Sequence, residues 1–332
     1  MHKVTLQDST LRDGNHAIRH QLTLDHVKSY CSAANDSGVP IVEVGHGNGI
    51  GASSLQVGIS KEDEIKMLKV ARKGLTSSKL AVHMIPGFAT IDRNLAPAID
   101  AGVDVVRIGC HCTEADTTEK YINYIKKSKL TAVGSLMMSH SASKKVLLEE
   151  AKKFRDYGAD GVSLYDSAGA YLPSDVKEKV SYLSKNLDID VGFHAHNNLS
   201  FGVANSLVAV ESGATIIDAA ILGFGAGCGN AQLEVIVAVF EKMGISTGID
   251  LYSILDCAKL AEKLFVREIP SIKGIGIVSG LAGVFSGFSK HVSHIAEQYD
   301  LDARDIFFEL GKRKVVAGQE DIIIEVASDL KK

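Results

Sequence analysis

Short apolar runs alternate with helix-like stretches along most of the chain, and this alternation restricts the fold more than any other feature. Eight runs rich in β-branched residues recur, most of them at intervals of about 25 to 30 residues, which is typical of βα units in a parallel sheet. Eight is also the number of strands that closes a barrel. The predicted strands are Lys3–Asp8, Pro40–Gly45, Lys79–Met84, Val103–Cys110, Thr131–Met138, Gly161–Asp166, Asp190–His196 and Ile216–Ala220. We therefore predict an α/β fold, a (β/α)8 TIM barrel over residues 1–250.

Beyond about Asp250 the pattern changes to helices without intervening strands. Two helical segments, 252–265 and 289–301, enclose a segment rich in glycine and small residues, 269–288. The charged tail, 321–332, is expected to form a last helix or a strand. We predict a separate, mostly helical C-terminal domain over residues 251–332, packed as a lobe across one barrel end.

Composition and charge narrow the class of protein. The net charge of -4 and the lack of a Lys/Arg run argue against nucleic acid as a partner. No signal-peptide core and no apolar run of about 20 residues are found, so we predict no membrane association and a cytoplasmic location. The five cysteines are scattered, odd in number and without a Cys-x-x-Cys pair, which favours free thiols. Cys110 and Cys112 flank His111, where zinc binding and simple packing are both open and packing is favoured.

Polar residues at the C-terminal ends of the predicted strands indicate where chemistry occurs, because active sites of these barrels lie at that face. His194 and His196 alternate on the seventh strand, so their side chains point the same way, about 6 to 7 Å apart. Asp13 follows the first strand, and only the eighth strand separates the first from the seventh. One carboxylate and two imidazoles suit Mn, Zn, Fe or Co, and Mg less obviously. The alternative is that both histidines are inward barrel residues bonded to neighbours.

Further polar residues lie at the same end of the predicted barrel, where the strands end. Arg12 can neutralise an anionic oxygen in a low-dielectric site, or it can form a surface salt bridge. Glu43 ends the second strand beside it. The glycine-rich segment 223–229 after the eighth strand either binds phosphate or allows close backbone approach at the barrel mouth, and the second interpretation is favoured.

These motifs together resemble a known family. Residues 8–14 (DSTLRDG), Glu43, 194–197 (HAHN) and 229–230 (GN) are similar to the metal-dependent lyase and synthase barrels that include 3-hydroxy-3-methylglutaryl-CoA lyase and isopropylmalate synthase. Within that group the chain most resembles the 4-hydroxy-2-oxovalerate aldolases. This resemblance rests on the segments 46–54 (HGNGIGASS), 86–87 (PG), 107–116 (RIGCHCTEAD) and 166–170 (DSAGA).

The resemblance implies an activity: retro-aldol cleavage of a 4-hydroxy-2-oxoacid, such as 4-hydroxy-2-oxopentanoate, to pyruvate and a short aldehyde, or the reverse condensation, in aromatic hydrocarbon catabolism. It implies a divalent metal, Mn first with Mg, Co or Zn as alternatives, on Asp13, His194 and His196. It also implies roles for further residues. Arg12 would bind substrate and stabilise developing negative charge, and His16 would take the proton of the C4 hydroxyl.

Other roles implied by the resemblance are supporting ones. Ser167 and His194 would contact the substrate, and Glu43 and Asn230 would orient the metal site or approach the metal. A structural His16 on an exposed loop and a backbone-capping Asn230 remain alternatives.

Two positions depart from the family pattern. Phe285 stands where the aldolases carry a tyrosine in the helical C-terminal domain, and Asn48 replaces a usual aspartate. A phenylalanine cannot donate a hydrogen bond, so at this substrate-binding position aldehyde preference and stereochemical control are open.

The family further implies partners and alternatives. An acylating aldehyde dehydrogenase would dock on the C-terminal domain and receive the aldehyde, and the chain is expected to be a homo-oligomer or hetero-oligomer. One alternative is an acyl-CoA-dependent condensing synthase or CoA-ester lyase, although the extra basic elements of a CoA site are not found. Another is a catalytically silent scaffolding paralogue, against which the intact set of polar site residues argues.

Overall fold

The fold is a closed barrel of eight parallel strands in chain order, in which β8 pairs with β1. The computed structural model describes residues 4–316 and 319–332. The strands are β1 (Thr5–Leu11), β2 (Ile41–Val44), β3 (Lys79–Met84), β4 (Val105–His111), β5 (Thr131–Met137), β6 (Gly161–Asp166), β7 (Asp190–Ala195) and β8 (Ile216–Ala219). The predicted TIM barrel is therefore confirmed. Lys3, the first residue of the first predicted strand, lies outside the described residues.

The strand ends differ from the prediction at points that matter for the site. β1 continues three residues past Asp8, because an irregularity in its pairing lets Leu11 pair with Val44 of β2. β7 ends one residue before His196, which instead forms an isolated bridge with Asn230. Both shifts place site residues on the turns that leave the barrel.

Helices cover the outside of the barrel. They are α1 (Leu24–Asp36), α2 (Glu64–Gly74), α3 (Ala96–Asp100), α4 (Glu119–Lys127), α5 (Lys144–Asp156), α6 (Pro173–Asn186), α7 (Gly202–Glu211) and α8 (Leu233–Lys242). Each turns an apolar side inward; α5, for example, buries Leu147, Ala151 and Phe154 at helical spacing. After α5 and α7 the chain reverses through Gly158 and Gly213, whose φ angles of +95° and +103° favour glycine.

The barrel interior changes from apolar to polar along the strand direction. Near the N-terminal ends of the strands, Ala81, Val105 and Val133 form a small apolar cluster with Ile41. Two residues further along each strand the side chains again point inward, and here they are polar. These positions hold Glu43, His83, Arg107 and Ser135, all buried. The polar layer lies beneath the C-terminal rim, where barrel active sites are found.

The C-terminal part is helical, with α9 (Leu251–Leu264), α10 (Gly274–Ala282), α11 (Ser289–Tyr299), α12 (Ala303–Lys312) and α13 (Ile322–Leu330). Helices were predicted for α9 and α11, and the tail, predicted as a helix or a strand, is the helix α13. Helices α10 and α12 were not predicted. α9 packs Ile254 and Cys257 into the barrel's apolar core. In contrast, α10 to α13, which we call the C-terminal lobe, share a second cluster that includes Phe307. In the described ranges, every helix is too short or too polar to cross a bilayer.

Candidate active site

Three buried side chains converge at the C-terminal ends of β1 and β7. Asp13 begins the short turn after β1, His194 lies on β7, and His196 follows that strand. Their ligating atoms all lie within 4.8 Å of one another. The two Nε2 atoms are 3.5 Å apart, and Nε2 of His196 is 3.7 Å from Oδ2 of Asp13. The structure thus brings together the three residues predicted as metal ligands, and this set can hold a divalent cation.

Both imidazoles are oriented by a hydrogen bond at Nδ1, on the side of the ring away from the cluster. Nδ1 of His194 donates to Oδ2 of Asp218 at 3.1 Å, and Nδ1 of His196 donates to the carbonyl oxygen of Ser167 at 2.9 Å. With the proton on Nδ1, each Nε2 keeps its lone pair toward the cluster. Burial lowers the pKa of His194, whereas for His196 the nearby Asp13 carboxylate outweighs burial and raises the pKa.

The Asp13 carboxylate is ionised although it is buried. Its Oδ1 accepts from Nη1 of Arg12 at 2.8 Å, and its Oδ2 accepts from Nδ2 of Asn230 at 2.7 Å. Burial alone would raise the pKa of Asp13, but the adjacent Arg12 charge holds it well below its usual value. The amide oxygen of Asn230 is buried and has no partner within residues 4–316 and 319–332.

The glycine-rich segment after β8 passes directly over this carboxylate. A Cβ at Gly225 would lie 2.5 Å from Oδ2 of Asp13 and would overlap the Asn230 amide. The backbone N–H of Ala226 also donates to Oδ2, at 3.2 Å. These contacts support close backbone approach, the favoured interpretation of the segment.

Arg12 is buried and does not form a surface salt bridge. Its Nε donates to Oε2 of Glu43 at 2.6 Å, and Oε1 of Glu43 accepts from Nη1 of Arg107 at 3.4 Å. Arg107 also pairs with Asp218, which holds His194. Among the residues that the structure describes, the buried Nη2 of Arg12 has no partner, so it can donate to a bound anion. The role of Arg107 was missed, although its charge inside the apolar run VVRIG is a signal.

The other predicted site residues occupy different surroundings. His16 ends the turn that Asp13 begins and is half-buried; burial lowers its pKa to about 4. Ser167 uses its hydroxyl to accept from the backbone N–H of Met138 at 3.0 Å. Phe285 packs in the C-terminal lobe, with its ring centroid 6.3 Å from that of Phe288.

Comparison with known proteins identifies the family. Residues 3–261 match the HMGL-like family model, and residues 270–332 match the DmpG-like communication domain. A 4-hydroxy-2-oxovalerate aldolase of Spirochaeta aurantia is 57% identical over 328 residues, which is 99% of this chain and 96% of that protein. The chain belongs to the 4-hydroxy-2-oxovalerate aldolase family. A relative of the same name from Pectobacterium atrosepticum is 57% identical over 330 residues, 99% of this chain and 96% of that protein.

The fold is shared more widely than the sequence. The carboxyl transferase domain of Rhizobium etli pyruvate carboxylase, solved with pyruvate, superposes with a TM-score of 0.82 at 17% identity, over 99% of this chain and 60% of that chain. Membership of the aldolase family confirms the predicted class, a carbon–carbon lyase. It also favours the main prediction over the CoA-dependent and scaffolding alternatives.

In this aldolase-family chain a cavity of about 370 Å³ lies between the barrel rim and the C-terminal lobe. Its lining includes His16, Gly225, Cys228, Lys273, Ser286 and Lys290. Asn198, which follows β7, spans the two parts: its Nδ2 donates to the carbonyl oxygen of Gly276 and to Oγ of Ser286, both at 3.0 Å. Neither Asn198 nor Ser286 was predicted as functional, because the contact joins residues far apart in sequence.

The cysteines pack as ordinary buried side chains. All five are free and buried, and burial raises the pKa of the Cys110 and Cys112 thiols. Within the described residues these two cysteines and His111 do not form a metal-binding group. Packing, the favoured interpretation of this motif, fits the structure.

Proposed function

We propose that the chain cleaves a 4-hydroxy-2-oxoacid, such as 4-hydroxy-2-oxopentanoate, to pyruvate and a short aldehyde, or runs the reverse condensation. The observation that carries this proposal is the convergence of Asp13, His194 and His196 beside the unpaired Nη2 of Arg12. Anionic 2-keto acids offer two oxygens to such a site. The family of the chain supports the same substrate class.

Asp13, His194 and His196 would hold a divalent cation, for which we propose Mn, with Mg, Co and Zn as alternatives. The donor set fits, because both imidazoles offer Nε2 and the carboxylate is ionised, as metal binding requires. When bound, the cation supplies a Lewis acid for the keto oxygen. The unpartnered Oδ1 of Asn230 would add a contact or orient a ligand.

Arg12 would bind the substrate and stabilise the negative charge that develops on its keto oxygen. Its Nη2 is the free donor, while Glu43 fixes the guanidinium through Nε. A fixed cation in a buried site costs no reorganisation as charge develops, and one such donor is worth about 3 kcal/mol of barrier. Glu43 is therefore a positioning residue.

His16 would act as the base. Its low pKa makes it neutral near pH 7, so it can take the proton from the C4 hydroxyl. The C4–O bond then becomes a carbonyl, the C3–C4 bond breaks, and its electron pair moves toward the keto oxygen beside Arg12. His16 lines the cavity below the C-terminal lobe, which gives the C4 hydroxyl a route to it.

Three further residues complete the proposed substrate site. His194 lies beside the substrate as well as on the cation, and Ser167 contributes through its carbonyl, which orients His196. Phe285 is included because its ring lies against Gly287, which lines the cavity together with Ser286.

We propose an acylating aldehyde dehydrogenase as partner, docked on the C-terminal domain, so that the chain works in a hetero-oligomer, with a homo-oligomer as the alternative. The match of this region to a DmpG-like communication domain supports docking there. Ile277, Leu281 and Phe308 of the C-terminal lobe are exposed apolar side chains suited to a protein contact.

We also keep the proposed division into a barrel domain, residues 1–250, and a C-terminal domain, residues 251–332, with α9 packed on the barrel. The five free cysteines support a cytoplasmic location.

The deciding experiment follows pyruvate release from a panel of 4-hydroxy-2-oxoacids with protein loaded with Mn²⁺. Asp13→Asn should abolish release, because it removes the charged ligand. Asp160→Asn is the matched control, since the Asp160 carboxylate pairs with Lys126 on the outside of the barrel. Release retained in Asp13→Asn would exclude the proposed metal mechanism, and release absent for every substrate in the wild type would exclude the proposed reaction.

A further inference from the structure

Five polar side chains of the barrel strands have a buried atom with no hydrogen-bond partner among the described residues: His83, Ser135, Ser163, Tyr165 and Asp218. Tyr165 and His83 are the two whose rings stack on each other. The hydroxyl of Tyr165, on β6, and Nδ1 of His83, on β3, are both buried and unpaired in the part of the chain that the structure describes. The residues are 4% and 2% exposed. Buried polar atoms in folded proteins nearly always have a partner, so an unpaired pair in one layer indicates that a ligand or water supplies it.

The two rings cannot easily turn to other partners. The Tyr165 ring stacks on His194, with centroids 4.5 Å apart and planes 15° from parallel. His83 stacks with the same tyrosine at 6.1 Å and 23°. The Arg107 guanidinium lies 5.1 Å from the Tyr165 ring centroid. Tyr165 is thus fixed between neighbours, one of which is a proposed metal ligand.

The charged groups of the layer pair with one another, although Oδ1 of Asp218 and Nη2 of Arg12 have no partner in the described residues. Arg107 is paired with Glu43 and Asp218, and Arg12 is paired with Glu43 and Asp13 apart from its free Nη2. The proposed function uses that Nη2 and the cation for the 2-keto acid half of the substrate. The Tyr165 hydroxyl and Nδ1 of His83 remain available for the other half of the substrate, which is released as the aldehyde.

We propose that Tyr165 and His83 form a polar subsite that binds a hydroxyl group on the aldehyde half of the substrate. This inference rests on the proposed function and names its substrate class: 4-hydroxy-2-oxoacids that carry a further hydroxyl at C5 and release a hydroxyaldehyde. A phenol both donates and accepts, and a neutral imidazole can do either, so the pair matches a hydroxyl. An alkyl group there would leave both atoms unpaired.

The test compares 4-hydroxy-2-oxopentanoate with 4,5-dihydroxy-2-oxopentanoate, which has the same carbon skeleton and one more hydroxyl. The wild type should prefer the dihydroxy compound at least about tenfold in kcat/KM, because a site built to bind a hydroxyl discriminates against its absence. Tyr165→Phe keeps the stacked ring and should reduce this ratio about tenfold. His83→Leu should reduce it in the same direction. Tyr252→Phe, at an 81% exposed position, should leave the ratio unchanged.

The outcomes separate the two proposals. If the wild type releases pyruvate from neither compound, the proposed function fails. If it releases pyruvate from both with equal kcat/KM, or if Tyr165→Phe lowers both equally, the subsite is wrong and the function stands. A ratio that His83→Leu leaves unchanged would remove His83 from the subsite.

A stability measurement distinguishes a substrate-binding role of the Tyr165 hydroxyl from a purely structural one. Because the Tyr165 hydroxyl has no partner in the described part of the chain, Tyr165→Phe should leave the Tm of the free protein unchanged or raise it. Tyr30→Phe is the matched control, since the Tyr30 hydroxyl donates to Oδ2 of Asp8 at 2.6 Å and its loss should lower the Tm. A decrease in Tyr165→Phe as large as in Tyr30→Phe would overturn the subsite.

Discussion

The Asp218 carboxylate accepts a hydrogen bond from Nδ1 of His194 at 3.1 Å through the same oxygen, Oδ2, that pairs with the buried guanidinium of Arg107. One oxygen therefore orients a proposed metal ligand and offsets an arginine charge. This connects the cluster at the rim with the polar layer beneath it. The cluster consequently depends on residues that are not among the three proposed metal ligands.

Replacing this carboxylate should weaken metal binding. Asp218→Asn removes the charge that orients His194 and raises its basicity, so we expect a 10- to 100-fold loss of affinity for Mn²⁺. Competition with a chelator measures this directly. Asp160→Asn, a change of the same kind outside the barrel, should retain the wild-type affinity. Equal affinities in the two variants would mean that Asp218 does not orient the ligand.

Glu43 links the two buried arginines, and its loss should destabilise the barrel. Glu43→Gln removes the negative charge that compensates the buried charges of Arg12 and Arg107. The expected decrease in the free energy of unfolding is about 3 kcal/mol. Urea denaturation measures the difference. Glu178→Gln removes an exposed partner of Lys144 and should have little effect. A Glu43→Gln protein as stable as the wild type would show that the network does not stabilise the fold.

Much of the fold and the three clustered side chains could be predicted because they depend on local rules. Strand period and spacing indicate the barrel, and the C-terminal ends of strands indicate the rim. His194 lies on β7 and His196 follows its last residue, so strand alternation in the sequence was enough to predict their common direction. Predicting that Asp13 lies beside these histidines required only that β8 lie between β1 and β7.

The remaining features depend on tertiary contacts between distant residues. Arg107 and Asp218 are 111 positions apart, and only the closed barrel brings their side chains together. The same is true of Tyr165 and His83, which lie on β6 and β3. Helix α10 is rich in glycine, which disfavours an isolated helix, but it packs against α12. Local propensity therefore did not indicate it.

The free energy of unfolding should fall as the pH is lowered from 6.5 toward 4. Burial lowers the pKa of His16 to about 4 and that of His20 to about 3, while in the unfolded chain both lie near 6.5. Between these values the unfolded state binds more protons, so acid favours unfolding and the stability present above pH 6.5 is lost. Thermal unfolding across this range should show a weaker pH dependence in His20→Gln than in the wild type.

An exposed histidine provides the control for this pH dependence. His291→Gln on α11 removes one imidazole without removing a buried one, and should leave the slope of Tm against pH unchanged. If His20→Gln retained the wild-type slope, the buried histidine would not be the source of the acid sensitivity.

The phenylalanine at position 285 should influence the aldehyde half of the reaction. Phe285→Tyr adds one hydroxyl to a half-buried ring that lies against Gly287 beside the cavity. A new donor there should change aldehyde selectivity in the condensing direction about two- to tenfold, as expected for one hydrogen bond. Phe308→Tyr, on an exposed part of the C-terminal lobe, is the control. Identical selectivity in wild type and Phe285→Tyr would mean that the ring is structural.

Asn198 should control how firmly the C-terminal lobe is held on the barrel. Its fully buried amide donates to Gly276 and Ser286, and its Oδ1 lies 3.2 Å from Oγ of Ser286, which can donate to it. Asn198→Ala removes all of these contacts, at a cost of about 2 kcal/mol. Hydrogen exchange should then accelerate in α10, which contains Gly276, while the barrel strands remain protected. Asn186→Ala removes an exposed amide bonded to Tyr182 and should not change exchange in α10. If α10 stayed as protected in Asn198→Ala as in the wild type, apolar packing alone would hold the lobe, and the amide would have no part in closing the cavity above His16.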